Sequence, residues 1–236
     1  MGIYTEILLR PVFNSLAFLY NVIPGQDLGV TIIVLTLVIK IVLFPLNRKA
    51  IISQKALQTI QPKVEELKEK HKDNKEKLGS AMMELYKREK INPFSSCFPI
   101  LLQLPILIAV FQVFRSGLGG SDLTNLLYPW VANPGEFNIL AFGFLDLAKR
   151  SIPLAVLAGA AQFWQTKMLM GKREQKGGMA SAMNKQMLYM MPIFTVVIGS
   201  SFPAGLTLYW FTTTLLSGLQ QLWMFKKQVI KKEEGS

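Results

Sequence analysis

The chain has one cysteine, Cys97, and one histidine, His71, among 236 residues. An internal disulfide is thereby excluded, and so is a Cys/His metal cluster, while His71, placed in a charged turn outside the apolar stretches, leaves no Ser-His pair for intramembrane proteolysis. Acidic residues are few, 15 against 26 Lys and Arg, and none falls within the long apolar stretches. A carboxylate proton relay inside a membrane therefore has no residues to run on. Gly117 to Gly120 is not followed by Lys-Ser/Thr, so no phosphate-binding loop is present. Nor does the chain show the internal repeat common in solute carriers. These absences point away from an enzyme and from a nucleotide-driven pump, and no cofactor or metal is expected.

What the chain has in excess is hydrophobicity, 50% of residues, gathered into blocks. Taking about 18 apolar residues as the length that crosses hydrocarbon, candidate spans lie at 28–46, 97–115, 152–170, 186–202 and 203–225. The fold class is all-α: a polytopic membrane protein of five transmembrane helices. The last two spans nearly touch, which leaves a tight turn at Ser200-Ser201-Phe202-Pro203. Net charge of +11 is compatible with nucleic acid, but its placement argues for a membrane instead. Twelve basic residues lie in 47–96, five in 167–185 and four in 226–236, against one in 1–27. The positive-inside rule puts those three basic segments in the cytoplasm, and an odd number of spans then puts the N-terminus outside. No specific nucleic-acid partner is expected. Arg10-Pro11 interrupts the first apolar run and no small-x-small pattern follows, so residues 1–27 read as an external interfacial helix and not as a cleaved signal.

Residues 47–96 are too charged to enter lipid and read as a cytoplasmic helical hairpin. Leu57, Ile60, Val64 and Leu67 form a narrow apolar stripe on one arm and Leu78, Met82 and Leu85 on the other. The run from His71 to Lys75 supplies the turn, and Pro62 predicts a kink or the true start of the first arm. This segment reads equally well as a solvated spacer or as a docking arm for a partner or lipid headgroups. The 116–151 loop is rich in Gly and Pro and carries Trp130, which suits an external loop with interfacial aromatics. Met179 and Met183 in the 171–185 loop read as fillers.

Polar residues inside spans are costly and mark function. Lys40 lies six residues before Leu46, roughly 9 Å from the cytoplasmic end at about 1.5 Å per residue. A lysine at that depth can snorkel to the headgroups. Thr36, Lys40 and Asn47 nonetheless stand at helical spacing on one predicted face. The fifth span carries Thr207, Trp210, Thr214, Ser217 and Gln221 at steps of three and four. Gln103 in the second span and Gln162, Gln165 and Thr166 in the third fall in the same cytoplasmic half, so polarity collects on the inner side. A wet cavity open to the cytoplasm fits that distribution better than a pore through both leaflets.

Four ordered segments also resemble a known family, the YidC/Oxa membrane protein insertases. VIKIVLFPL (38–46) resembles its first core span and QPKVEELKEKHKDNKEKL (61–78) its cytoplasmic hairpin. EKINPFSSCFPILLQLPIL (89–107) and FPAGLTLYWFTTTLLSGLQQ (202–221) are the most specific matches. The resemblance implies an insertase and chaperone of the bacterial cytoplasmic membrane. Five helices would enclose a hydrophilic groove open to the cytoplasm and lipid but closed outside. Lys40 stands where most members carry Arg, and Tyr209 and Trp210 match an aromatic pair along the client path. Implied partners are newly made membrane proteins, membrane lipids, the Sec translocon and the ribosome. A small-solute channel or carrier is the alternative, and a purely structural assembly factor a third reading.

Overall fold

A computed structural model describes residues 2–92, 98–117, 121–170 and 179–233, so Pro93, Cys97 and the side chains of Met179 and Met183 lie outside what it describes. The chain is mostly helical. A π-helical turn, Thr5–Leu9, runs into α1 (Arg10–Val22), and α2 (Leu28–Val42), α3 (Phe44–Lys70) and α4 (Lys75–Arg88) follow. Then come α5 (Phe98–Gly117), a 3-10 turn (Ser121–Leu126) and a two-stranded antiparallel ribbon of β1 (Leu140–Ala141) and β2 (Leu145–Asp146). Helices α6 (Ile152–Met170), α7 (Met179–Gly199) and α8 (Ala204–Glu233) complete the chain.

One end of the molecule is sealed by a core that α1, α2, α5, the ribbon and the start of α8 share. Helix α1 buries Phe13, Leu16, Ala17 and Tyr20, the spacing of one helical face, against α5 and the 121–147 segment. Its polar residues are clamps and not a wet face. Asn14 is buried, and its amide donates to the Leu126 carbonyl at 2.8 Å while its oxygen accepts from the Tyr128 N–H at 2.6 Å. Arg10 donates to the same Leu126 carbonyl at 3.1 Å and lies over the Tyr128 ring. Tyr20 accepts from the Asn138 N–H at 2.7 Å, and Asn21 donates to the Ala132 carbonyl. The irregular 126–138 stretch is thus stitched to α1 by these side chains, which supply partners for several of its backbone groups.

Asp27 does double duty at the head of α2. One carboxylate oxygen caps the helix by accepting from the Val30 N–H at 3.0 Å. The other accepts from the Phe142 N–H at 2.6 Å, holding Phe142 at φ +55 in the ribbon's turn, where a bulky residue rarely sits. Gly29 lets that turn approach, since a Cβ there would overlap Ala141 and the Phe142 ring.

Helix α2 does not continue straight into the residues that follow. It bends by 70° at Leu43 into α3. Pro45, in the first turn of α3, has no N–H to bond back to Ile41, so the ladder breaks where the chain turns. Among the described residues no single helix is both long and apolar enough to cross a membrane, though α2 and α3 together meet that measure across the bend. Pro62 lies inside α3 and does not mark its start. Ile60 of α3 and Leu85 of α4 are buried, and Lys63 pairs with Glu89 at 2.7 Å, holding the Glu89 carboxyl below its ordinary range.

The remaining helices form a second packed unit. Helix α6 lies between α7 and α8, with Gly159 admitting Val196 of α7 and Trp164 lying over Gly218 of α8. The first N–H groups of α8 are satisfied from outside: Ala204 donates to the Lys149 carbonyl at 2.7 Å and Gly205 to the Leu147 carbonyl at 3.0 Å.

Candidate functional site

Helix α8 is the axis on which polar residues of the apolar segments meet. Near its start, Tyr209 is 1% exposed and its hydroxyl accepts from the Gln103 amide of α5 at 2.7 Å. Two turns on, Ser217 accepts from the Lys40 ammonium of α2 at 2.6 Å and itself donates to the Thr213 carbonyl at 2.8 Å. Ser217 is thereby saturated as a donor and fixed in rotamer, so it presents its lone pair to the ammonium. Another turn along, Gln221 is buried, and its side-chain oxygen, like the Gln220 side-chain nitrogen, meets no hydrogen-bond partner among the described residues. Such atoms are costly in a dry interior, which argues for water or a polar ligand at this level.

Not every residue singled out by spacing joins this line. Thr36 is 1% exposed and spends its hydroxyl on the Ile32 carbonyl of its own helix at 2.6 Å. Asn47 lies beyond the 70° bend, on α3, so the shared face with Thr36 and Lys40 does not exist. A seven-residue step defines a face only while the helix is continuous. Thr166 bonds to the Gln162 carbonyl one turn back, while Gln162 and Gln165 are half-buried on α6. Thr214 is buried on α8 and Trp210 is half-buried. Of the aromatic pair, Tyr209 is buried and only Trp210 keeps an accessible face.

Sequence reasoning passed over residues between 44 and 58 that reach the same helices. Gln58 of α3 donates to the Leu169 carbonyl at the end of α6, 2.7 Å away. Lys55 places its ammonium 4.7 Å from the centre of the Phe225 ring on α8, and Phe44 meets Trp223 at 6.4 Å between centroids. Their position in a charged segment hid them, because nothing local distinguishes them from solvated neighbours.

Around this line the helices show lipid-like apolar exteriors. Ile33, Leu37, Val38 and Ile41 on α2, Ile193, Phe194 and Val197 on α7, and Leu219 and Leu222 on α8 are all exposed. Outward-facing residues of this kind on several helices exceed what a water-facing surface tolerates.

The family described as 60Kd inner membrane protein matches residues 18–232. A Fusobacterium nucleatum protein named membrane protein insertase YidC is 38% identical over 214 residues, covering 90% of this chain and 94% of that protein. Its Clostridium tetani namesake is 39% identical over 194 residues, covering 82% of this chain and 79% of that protein. A longer namesake from Lawsonia intracellularis is 35% identical over 227 residues, and there the chain spans 39% of the relative's length.

Proposed function

Because the chain belongs to the 60Kd inner membrane protein family, the YidC/Oxa membrane protein insertases, we propose that it inserts and helps fold client membrane proteins through a hydrophilic groove along α8. The groove opens to the cytoplasm and to lipid. In this reading the protein sits in the bacterial cytoplasmic membrane with five spans, its N-terminus outside and its C-terminus inside, and acts alone or with the Sec translocon and the ribosome.

The observation that carries the proposal is the Lys40 ammonium held against Ser217 between α2 and α8, in a protein whose helices are otherwise clad in exposed apolar side chains. A cation there has no structural need for Ser217, which could bond to Thr213 alone. It is available to a carboxylate. A client's polar end would enter the inner half of the groove, where Lys40, Gln221 and Gln165 replace part of its hydration, while its apolar segment partitions into lipid past Trp210. No energy source is needed within the protein. The membrane potential adds about 2.3 kcal/mol per client charge per 100 mV.

A channel or carrier fits less well. Beyond Tyr209 the helices close on Val110, Phe114, Leu147 and Leu206, all buried and apolar, a packed plug that disfavours a continuous polar route among the described residues. Photo-reactive residues at Trp210 and Gln165, illuminated during insertion of a single-span client into liposomes, test the reading. Crosslinks from both positions to the client are expected. Efficient insertion without a crosslink from either would overturn the groove.

A further inference from the structure

The face of α8 that carries Ser217 continues in steps of four through Gln221 to Phe225. Lys40 touches this stripe at its inner end and Lys55 at its other end, through the Phe225 ring. Between them lies the buried Gln221 oxygen with no partner among the described residues. No carboxylate lies within ion-pair distance of either ammonium among the described residues. Two half-buried cations, one from α2 and one from α3, thus face a single stripe of α8 on either side of a polar group that lacks a partner among the described residues.

From this geometry we infer that Lys40, Gln221 and Lys55 form a two-cation lane that binds an extended acidic peptide segment, with Lys55 as the cytoplasmic inlet cation. The inference deepens the groove reading and rests on it. Eight residues of α8 separate the two contact points, about 12 Å at about 1.5 Å per residue. An extended chain covers that distance in three to four residues at about 3.3–3.6 Å each. The lane therefore prefers carboxylates three or four positions apart. Gln221 would accept from a client backbone N–H lying between them, which an extended segment leaves free and a helix does not. Lys55 can serve without a large rearrangement, because cation–π contact with Phe225 holds the ammonium by one side and leaves its N–H groups on the other.

The test uses the full-length protein in liposomes and twelve-residue acidic peptides with a photo-reactive residue midway between two aspartates. Spacings of one, four and eight positions are compared with a single-aspartate peptide. Crosslinking to residues 217–225 is expected to be about tenfold stronger for the four-position pair than for the single aspartate, the low end of a charge-assisted hydrogen bond. Lys55→Ala should erase that advantage and Lys55→Arg should keep it. Persistence of the advantage in Lys55→Ala overturns the lane, as does equal binding at every spacing or a preference for eight positions. Because the readout is peptide binding, failure of client insertion with normal spacing-dependent crosslinking would refute the insertase reading alone. Normal insertion without spacing dependence would refute the lane alone.

Discussion

Replacing Lys40 by alanine removes one ammonium and, by the contacts around it, little else. Ser217 keeps its donor bond to the Thr213 carbonyl at 2.8 Å and loses only a partner for its lone pair. No buried donor is orphaned, so the cost to folding is small. The cost to function is set by what the ammonium would bind. A hydrogen bond between charged groups contributes about 1.5–3 kcal/mol net, which at about 1.4 kcal/mol per decade is roughly tenfold to hundredfold in occupancy. The assay is protease protection of a single-span client with two aspartates in its translocated segment, compared with the same client carrying asparagines. Lys40→Ala should lower insertion of the acidic client by about tenfold or more and the neutral client much less. Lys40→Arg should retain most activity, since the charge stays and the guanidinium forks to carboxylates. Lys40→Glu should be worse than alanine, because two like charges about 4 Å apart repel by about 4 kcal/mol at an effective dielectric near 20. Equal losses for acidic and neutral clients would refute the electrostatic role, leaving Lys40 as a strut between α2 and α8.

Other consequences follow from particular contacts. Gln103→Leu should strip the buried Tyr209 hydroxyl of its Gln103 donor and destabilise the protein by about 1 kcal/mol, and adding Tyr209→Phe should recover part of that loss in thermal unfolding. Additive losses would show that the bond does not couple α5 to α8. Asn14→Ala strips the Tyr128 N–H of its acceptor and the Leu126 carbonyl of one of its two donors, Arg10 remaining, so a loss of about 1–3 kcal/mol is expected, with hydrogen exchange rising first across 121–138. The Lys149 ammonium, 2.9 Å away, holds the Asp146 carboxyl below its ordinary range. A depressed folded value means this stabilisation is present above the unfolded pKa, near 4, and is lost as pH falls below it. Unfolding midpoints measured from pH 7 down to 3 should fall less steeply in Asp146→Asn than in the wild type.

Much of the candidate site was legible in the sequence because it consists of polar groups where polarity is costly. Lys40, Ser217, Gln103 and Gln221 stand out against apolar neighbours, and the structure brings Lys40 to Ser217 and Gln103 to Tyr209. Asn47 misled because periodicity assumes an unbroken helix, and Pro45 sits close enough to end one. The partners of Asn14 and Asn21 were not legible, since carbonyls and amides more than a hundred residues away satisfy them. Lys55 and Gln58 were invisible, since a lysine over a ring and a lysine in water have the same local sequence.

The sequence by itself determined the class of the protein: long apolar runs on a mostly helical chain need a non-aqueous surround, whatever the packing. It also determined which polar residues must be accounted for. Tertiary structure alone decided their partners, because a hydrogen bond between α2 and α8 depends on a bend at Leu43, a glycine under Trp164 and a loop clamped to α1. Those contacts join residues far apart in the chain, and no periodicity within one segment encodes the distance to another.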